Sequence, residues 1–254
     1  DFDVFKAFVS NLYKYRRTGD IFFTLGNHEL WGLNGEKLDS IISKYKEVLD
    51  SYGQGKFHLV QNNLFYADLS WKEINETELS LMSIKDIREK TRSAKVLIFG
   101  GIGFAGMNDE FNADDGIYMD VLDRGLENML TTKFLALYEK VTKALYDKNL
   151  IVLSHMPIRD WGGKDIHAKE NIVYVNGHSH RNFFYDDGKK RIYADNQVGY
   201  KGKNVSFKQI AMDFNYDWFA DYEDGIHEML FKSILRCSTD IQKEMYQYLS
   251  LYLK

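Results

Sequence analysis

Three short apolar runs, each followed at once by a polar segment with a histidine, restrict the fold of this chain more than any other feature. Four or five residues are too few for a helix, and their near-continuous apolar character predicts strands covered on both faces. The runs are Ile21–Leu25 before Gly26–Glu29, Leu150–Leu153 before Ser154-His155, and Ile172–Val175 before Asn176–His178. Such strands occur in sheets flanked by helices, which predicts a layered α/β fold.

Helical periodicity precedes the first two runs. Apolar residues recur every three or four positions from Phe2 to Leu12, which predicts a helix that ends near Arg17, with Gly19 in the turn beyond it. The same spacing from Leu126 to Leu145 predicts a long helix that packs on the sheet. The remaining predicted elements are a largely helical Leu69–Lys95, strands at Lys95–Phe99, Lys190–Tyr193 and Ser206–Met212, and a helical tail from Gly225.

Composition favours one domain. The chain has 254 residues, 44% apolar content and a single proline, so one large core is expected and no proline-rich linker interrupts it. We therefore predict one domain over residues 1–254, with residues 215–254 as a helical extension packed on it. The longest weakly polar run, Val96–Met107, is too short to cross a bilayer and contains glycines, so no membrane partner is expected.

Charge and cysteine content narrow the expected partners. The formal net charge of −4 provides no broad positive field for a nucleic-acid backbone, whereas a small phosphorylated substrate or a phosphoprotein is compatible with it. One cysteine, Cys237, permits no internal disulfide and favours a reducing compartment, so a cytoplasmic location is expected. The oligomeric state stays open.

The segments after the three strands carry metal-ligand side chains. Ligands collect at the carboxyl ends of strands in an α/β sheet, so these side chains are expected to meet. An amide oxygen and imidazole nitrogens suit manganese, iron or zinc better than calcium. A lone Asn-His or His-x-His is more often an ordinary polar loop, but three signals of one type favour a metal site. The candidate ligands are Asn27, His155, His178 and His180.

Two local features support that interpretation. In an extended segment residues two apart point the same way, so His178 and His180 are expected to face one site. Gly26 and Gly177 stand where a strand turns sharply into its loop, and glycine adopts a positive φ there without penalty.

The series Gly26-Asn27-His28-Glu29, Ser154-His155 and Gly177-His178-Ser179-His180 resembles the downstream motifs of calcineurin-like metallophosphoesterases. The resemblance covers Phe2 to about Asn196 and implies an α-β-β-α sandwich. It implies that Asn27, His155 and His178 bind one metal and that His180 binds its neighbour. His28 would be the catalytic histidine, with Glu29 orienting it. The implied activity is hydrolysis of a phosphomonoester or phosphodiester by metal-activated water at a dinuclear centre of manganese, iron or zinc.

Two upstream motifs of that family, Asp-x-His and Gly-Asp-x-x-Asp, do not precede Gly26. We therefore expect an N-terminally truncated domain that lacks two strands and holds a partial site. Gly19-Asp20 is no substitute, because it lies before the first strand and so at the opposite end from the site. The alternatives are a non-catalytic scaffold of the same fold and a nuclease. The presence of His28 argues against the scaffold, and the acidic charge argues against the nuclease.

Other polar residues are weaker candidates for a role at the site. Arg159 and Arg181 could clamp a phosphate, although a solvated surface position is favoured. The glycine-rich Gly100–Gly106 predicts a tight turn after a strand, since it lacks the lysine of a phosphate-binding loop. Candidates for pocket lining are Asn108, Glu110, Phe111 and Asn112, candidates for ligand support are Asp195, Asn196 and Gln197, and ordinary loop or surface histidines are His58, His167 and His227.

Overall fold

A computed structural model describes residues 2–15, 19–31, 33, 35–164, 166, 168–179, 183–186 and 191–195. The helices in these ranges are α1 (Phe2–Tyr15), α2 (Leu38–Gly53), α3 (Glu76–Leu81), α4 (Ile84–Lys90), α5 (Arg124–Ala144) and α6 (Ile158–Gly162). The strands are β1 (Ile21–Phe23), β2 (Phe57–Leu59), β3 (Asn63–Ala67), β4 (Trp71–Ile74), β5 (Val96–Gly101), β6 (Leu150–Ser154), β7 (Ile172–Asn176), β8 (Phe183–Asp186) and β9 (Arg191–Asp195). Short 3-10 turns cover Asn27–Leu30, Ala113–Asp115 and Met119–Val121.

The larger of two sheets has the strand order β4-β3-β5-β6-β7-β9-β8 among the described strands. Its centre is parallel, from β5 through β6 and β7 to β9, and the outer strands run antiparallel to their neighbours. The register pairs Gly101 with Ser154 and Ser154 with Asn176. The carboxyl ends of β5, β6 and β7 therefore meet at one edge, which is where the segments with His155 and His178 begin.

Strand β1 belongs to the smaller sheet, in which it pairs in parallel with β2 from Ile21↔Phe57 to Phe23↔Leu59. Its side chains alternate between two neighbours, as strand geometry requires. The Phe22 ring lies 4.5 Å from the ring of Trp71 in β4, and the Phe23 ring lies 6.3 Å from that of Phe5 in α1. The strand is covered on both faces as predicted, but in a sheet of its own.

Helix α5 covers the other face of the larger sheet. Asp123 caps its first turn by accepting a hydrogen bond from the Leu126 N–H at 2.7 Å, and its apolar stripe is buried. The Phe134 ring lies 5.3 Å from the ring of Phe99 in β5. The described layers are therefore α5, the larger sheet, the β1–β2 pair, and then α1 and α2, and the predicted α/β class is confirmed.

Several predicted elements are confirmed to within a few residues, namely α1, α5, β5, β6, β7 and β9. The largely helical interpretation of Leu69–Lys95 is wrong in part, because Trp71–Ile74 forms β4 before α3 and α4 begin. That strand pairs antiparallel with the neighbouring β3, from Leu64↔Ile74 to Ala67↔Trp71, in a local hairpin. Its residues Trp-Lys-Glu-Ile show no alternation of apolar and polar positions that would predict a strand.

Some predictions concern residues that the structure does not describe. The strand at Ser206–Met212, the tail from Gly225 and the extension over 215–254 lie outside the described residues, so the single-domain organisation stays a prediction. The absence of two strands ahead of β1 stays a prediction as well. In the described part of the chain, no helix combines the length and apolar character needed to cross a membrane.

Candidate metal centre

The backbone after β6 and β7 is fixed by hydrogen bonds between neighbouring strand ends. The His155 N–H donates to the Gly101 carbonyl and the Gly177 N–H donates to the His155 carbonyl, each at 3.1 Å. The Ser154 hydroxyl donates to the Met156 carbonyl at 2.8 Å. His155 is therefore held between the ends of β5 and β7 by main-chain contacts on both sides.

Three of the four predicted metal ligands meet at this edge. Asn27 Oδ1 lies 2.8 Å from His155 Nε2 although the two residues are 128 positions apart. The His155 and His178 rings pack edge to face, with centroids 5.3 Å apart. The fourth predicted ligand, His180, lies outside the described residues, and its role stays a prediction.

The orientation of the Asn27 amide follows from its second partner. Asn27 is buried, and its Nδ2 donates to the Ile117 carbonyl at 2.9 Å. A carbonyl oxygen can only accept, so the amide nitrogen must face Ile117 and the amide oxygen must face His155. Ile117 was not predicted as a site residue, because residue type does not show which backbone carbonyl will accept a hydrogen bond.

Gly26 and Gly177 lie against the His155 ring, and neither has the positive φ that favours glycine. Gly26 has φ −110°, and Gly177 is not among the glycines with positive φ, so the prediction of positive φ at both is wrong. A Cβ on Gly26 would lie 2.5 Å from Cε1 of the His155 ring, and one on Gly177 would lie 3.4 Å from Nδ1 of that ring. Glycine is therefore required at position 26, where the imidazole packs directly on the backbone, whereas a Cβ at position 177 would make an ordinary van der Waals contact.

The left-handed backbone lies one residue further on, at His178, with φ 60°. This conformation is uncommon for a residue with a side chain. His178 is therefore not extended, and the argument that residues two apart face one site does not apply to it. The turn is closed by a hydrogen bond from the Ser179 N–H to the Gly177 carbonyl at 2.6 Å.

His28 lies in the 3-10 turn immediately after Asn27, and its ring stacks on the Trp31 indole. The centroids are 3.8 Å apart and the planes meet at 22°. The Trp31 Nε1–H donates to the Ile117 carbonyl at 2.9 Å, which is the same acceptor that Asn27 uses. Trp31 was not predicted, although an aromatic three positions after a histidine in a helical turn is a signal for such a contact.

Glu29 caps this 3-10 turn. Its Oε2 accepts a hydrogen bond from the Gly26 N–H at 2.7 Å, which is one half of a capping box, since Gly26 has no side chain to make the other. The Tyr45 hydroxyl donates to the Glu29 carbonyl at 3.0 Å. Burial, and secondly the charge of Glu29, raises the pKa of Tyr45 to about 12, so this hydroxyl stays a donor at neutral pH. The contacts of Glu29 thus shape the backbone that carries Asn27 and His28.

The chemistry of the donors suits a divalent cation. Asn27 Oδ1 and His155 Nε2 are hydrogen-bonded at 2.8 Å, which brings an amide oxygen and an imidazole nitrogen together at one point. With the His178 ring beside them, the donors are one amide oxygen and two imidazoles, a set that suits manganese, iron or zinc. Among the described residues, no group of three or more His, Cys, Asp or Glu could hold a metal ion.

The predicted supporting residues divide into those at the site edge and those elsewhere. Asp195 ends β9 in register with Asn176, next to the edge that carries the ligands. Arg159 is 66% exposed and its Nε donates to Asp160 at 3.0 Å, in agreement with a surface position. Those that lie outside the described residues are Arg181, Asn196, Gln197, His167 and His227.

The residues after the glycine-rich turn, which were candidates for pocket lining, make hydrogen bonds that hold their own loop. The Asn108 side chain accepts from the Glu110 and Phe111 N–H groups and donates to Asp160 Oδ1 at 2.9 Å. The turn begins later than predicted, because Gly100 and Gly101 still belong to β5. A Cβ on Gly100 would lie 1.7 Å from the Leu153 carbonyl oxygen, so glycine there permits the β5–β6 pairing.

His58 is not an ordinary surface histidine, which corrects the sequence interpretation. It lies in β2, and its Nε2 is 2.8 Å from Asp20 Oδ1, with both side chains largely buried. The ring also stacks on Phe22. Asp20 therefore holds β1 and β2 together, consistent with its exclusion from the metal site.

Fold and site together define an α/β protein whose strand ends gather an amide and imidazoles in the manner of a metal centre. The family model for calcineurin-like phosphoesterases matches residues 1–182, which include all the predicted ligands. The chain belongs to the calcineurin-like phosphoesterase family. Comparison with curated proteins and with solved structures gives no match.

Proposed function

We propose that this protein is a metal-dependent hydrolase of phosphomonoesters or phosphodiesters with a dinuclear centre. The observation that carries the proposal is the convergence of Asn27, His155 and His178 at one sheet edge, in a chain that belongs to a phosphoesterase family. Three residues from three distant segments converge there, which a set of unrelated polar loops would have no reason to do.

The residues have distinct roles in this proposal. Asn27 Oδ1, His155 Nε2 and the His178 ring hold one divalent ion, and His180 binds the neighbouring ion. The ions supply charge neutralisation for the phosphoryl oxygens and lower the pKa of a water nucleophile. The choice of manganese, iron or zinc rests on the amide and imidazole donors, and the second ion rests on the family resemblance.

His28 is proposed as the general acid. It follows the ligand Asn27 directly, and its ring is held by stacking on Trp31. A protonated imidazole at that position can give a proton to the departing alkoxide oxygen. Glu29 contributes by capping the turn that presents His28.

The expected substrate is a small phosphoester or a phosphoprotein and not a nucleic acid. The formal net charge of −4 supports this, because phosphate backbones are bound mainly by clustered lysine and arginine. The single Cys237 supports a reducing, cytoplasmic setting.

The test is hydrolysis of an aryl phosphomonoester and an aryl phosphodiester by metal-stripped protein before and after manganese is added. We expect turnover only with manganese, and a fall in kcat of about 100-fold or more in His28→Ala, since general acid catalysis typically contributes 10²–10⁴-fold. His58→Gln is the matched control, because His58 lies in β2 outside the site. A folded protein that binds manganese but cleaves neither ester would favour the non-catalytic scaffold.

A further inference from the structure

The Ile117 carbonyl accepts two hydrogen bonds, and both donors belong to the candidate site. Asn27 Nδ2 and Trp31 Nε1 each lie 2.9 Å from this oxygen, although Ile117 is 90 and 86 positions away from them. A carbonyl oxygen has two lone pairs, so both are used. Ile117 itself is buried.

One backbone atom therefore fixes two different parts of the site. It holds the Asn27 amide with its oxygen toward His155. It also holds the Trp31 indole, on which the His28 ring stacks with centroids 3.8 Å apart. A shift of this oxygen would disturb the proposed metal ligand and the proposed acid together.

Ile117 belongs to residues 102–121, between β5 and α5, which we name the positioning segment. Its main anchor is Glu127, which has no exposed surface. Glu127 Oε2 accepts from the Ala113 N–H at 3.0 Å and from Arg124 at 2.6 Å. The Arg124 guanidinium in turn donates to the carbonyls of Ala105 and Gly106. The ion pair of Glu127 with Arg124 thus ties the beginning and the middle of the segment to the first turn of α5.

Tyr118 extends this anchor to the residue next to Ile117. Its hydroxyl is hydrogen-bonded to Glu127 and accepts from the Ala105 N–H at 3.0 Å. Burial, followed by the charge of Glu127, raises the pKa of Tyr118 well above its ordinary value, so the hydroxyl remains a donor to the carboxylate. The position of Ile117 is therefore set through Tyr118 by Glu127.

We propose that Glu127 and Trp31 are positioning residues of the active site: Glu127 acts through the Ile117 carbonyl on Asn27 and Trp31, and Trp31 acts on His28 by stacking. This inference rests on the proposed function for its catalytic part. Residues that orient metal ligands from behind typically change metal affinity or activity by roughly 10- to 100-fold when they are altered. The two residues have separable effects, because Trp31 acts on His28 alone, whereas Glu127 acts on Asn27 and on the Trp31–His28 stack.

The first variant is Trp31→Phe, which keeps an aromatic ring beside His28 but removes the indole donor. We expect kcat of the manganese-loaded protein to fall about 10-fold, with KM and manganese affinity unchanged. Trp71→Phe is the matched control, since Trp71 lies in β4, where it packs on Phe22 and not on His28. This substitution should leave kcat unchanged. A kcat in Trp31→Phe equal to that of Trp71→Phe would overturn the positioning role proposed for Trp31.

The second variant is Glu127→Gln, which keeps the side-chain shape and removes the charge that pairs with Arg124. We expect a manganese affinity weaker by about 10-fold in calorimetric titration. The Trp31 indole N–H should also exchange with solvent about 10-fold faster in an NMR experiment on the folded protein. A purely structural role for Glu127 would lower the melting temperature without changing manganese affinity below it.

These measurements separate the inference from the proposed function. Manganese affinity and indole exchange need no turnover, so they decide the role of Glu127 even if the wild-type protein cleaves neither ester. A folded Glu127→Gln with wild-type affinity and wild-type exchange would overturn the inference. If Glu127→Gln does not fold, the kcat of Trp31→Phe decides.

Discussion

The His155 imidazole lies so close to the Gly26 backbone that no side chain fits between them. In Gly26→Ala the new Cβ would lie 2.5 to 2.9 Å from three ring atoms, so the ring must leave the position in which it contacts Asn27. We expect a folded protein whose manganese affinity is weaker by roughly 10-fold or more, because a ligand has left its position. Calorimetric titration measures this.

Gly125→Ala provides the control for that substitution. Its Cβ would meet only Asp123 Oδ1, at 3.3 Å, in the first turn of α5. Alanine is also a better helix former than glycine, so wild-type affinity and stability are expected. If Gly26→Ala binds manganese as tightly as Gly125→Ala, the close packing of His155 on the backbone has no part in metal binding.

At the scale of elements, the β1–β2 pair depends on Asp20. Burial raises the pKa of this carboxyl, but hydrogen bonds and charge from His58 and Lys56 outweigh that effect and lower it overall. A carboxyl with a lowered folded-state pKa stabilises the protein above its unfolded pKa of 3.8, and this contribution is lost as the pH falls through the folded-state value.

We therefore expect Asp20→Asn to lower the free energy of unfolding by about 1 kcal/mol at pH 7, and the difference to vanish once the pH has fallen below the lowered folded-state pKa of Asp20. Thermal unfolding across this pH range measures it. Asp109→Asn, at an exposed loop position, should follow the wild-type curve throughout. A constant difference between Asp20→Asn and wild type over the whole range would show that the charge of Asp20 does not stabilise the pair.

At the scale of the whole molecule, the candidate metal centre joins the β1 segment to the ends of β6 and β7. A ligand that binds only the folded state at 100 times its Kd contributes about 2.7 kcal/mol, which for a chain of this length raises the melting temperature by roughly 5 to 10 °C. We expect this rise with manganese in wild-type protein and little of it in His155→Ala. Differential scanning calorimetry at matched metal concentrations measures it, and an equal rise in both proteins would place the manganese elsewhere.

The sequence by itself determined the elements and the identity of the candidate ligands. The runs before His155 and His178, and the helical spacing from Leu126 to Leu145, gave β6, β7 and α5 nearly to their ends. This is possible because burial on one face or two is written into the local spacing of apolar residues. The convergence of His155 and His178 was predictable because strand ends in an α/β sheet meet at one edge. Asn27 follows β1 of the smaller sheet, so its contact with His155 does not follow from that rule.

Only the tertiary structure decided how these parts are held. It placed β1 in a second sheet, put Glu29 on the Gly26 backbone, and brought Ile117 to Asn27 and Trp31. Backbone carbonyls and N–H groups occur at nearly every position, so residue type cannot show which of them a distant side chain will meet. The pattern of residues therefore specified what the site is made of, and long-range hydrogen bonds specified its geometry.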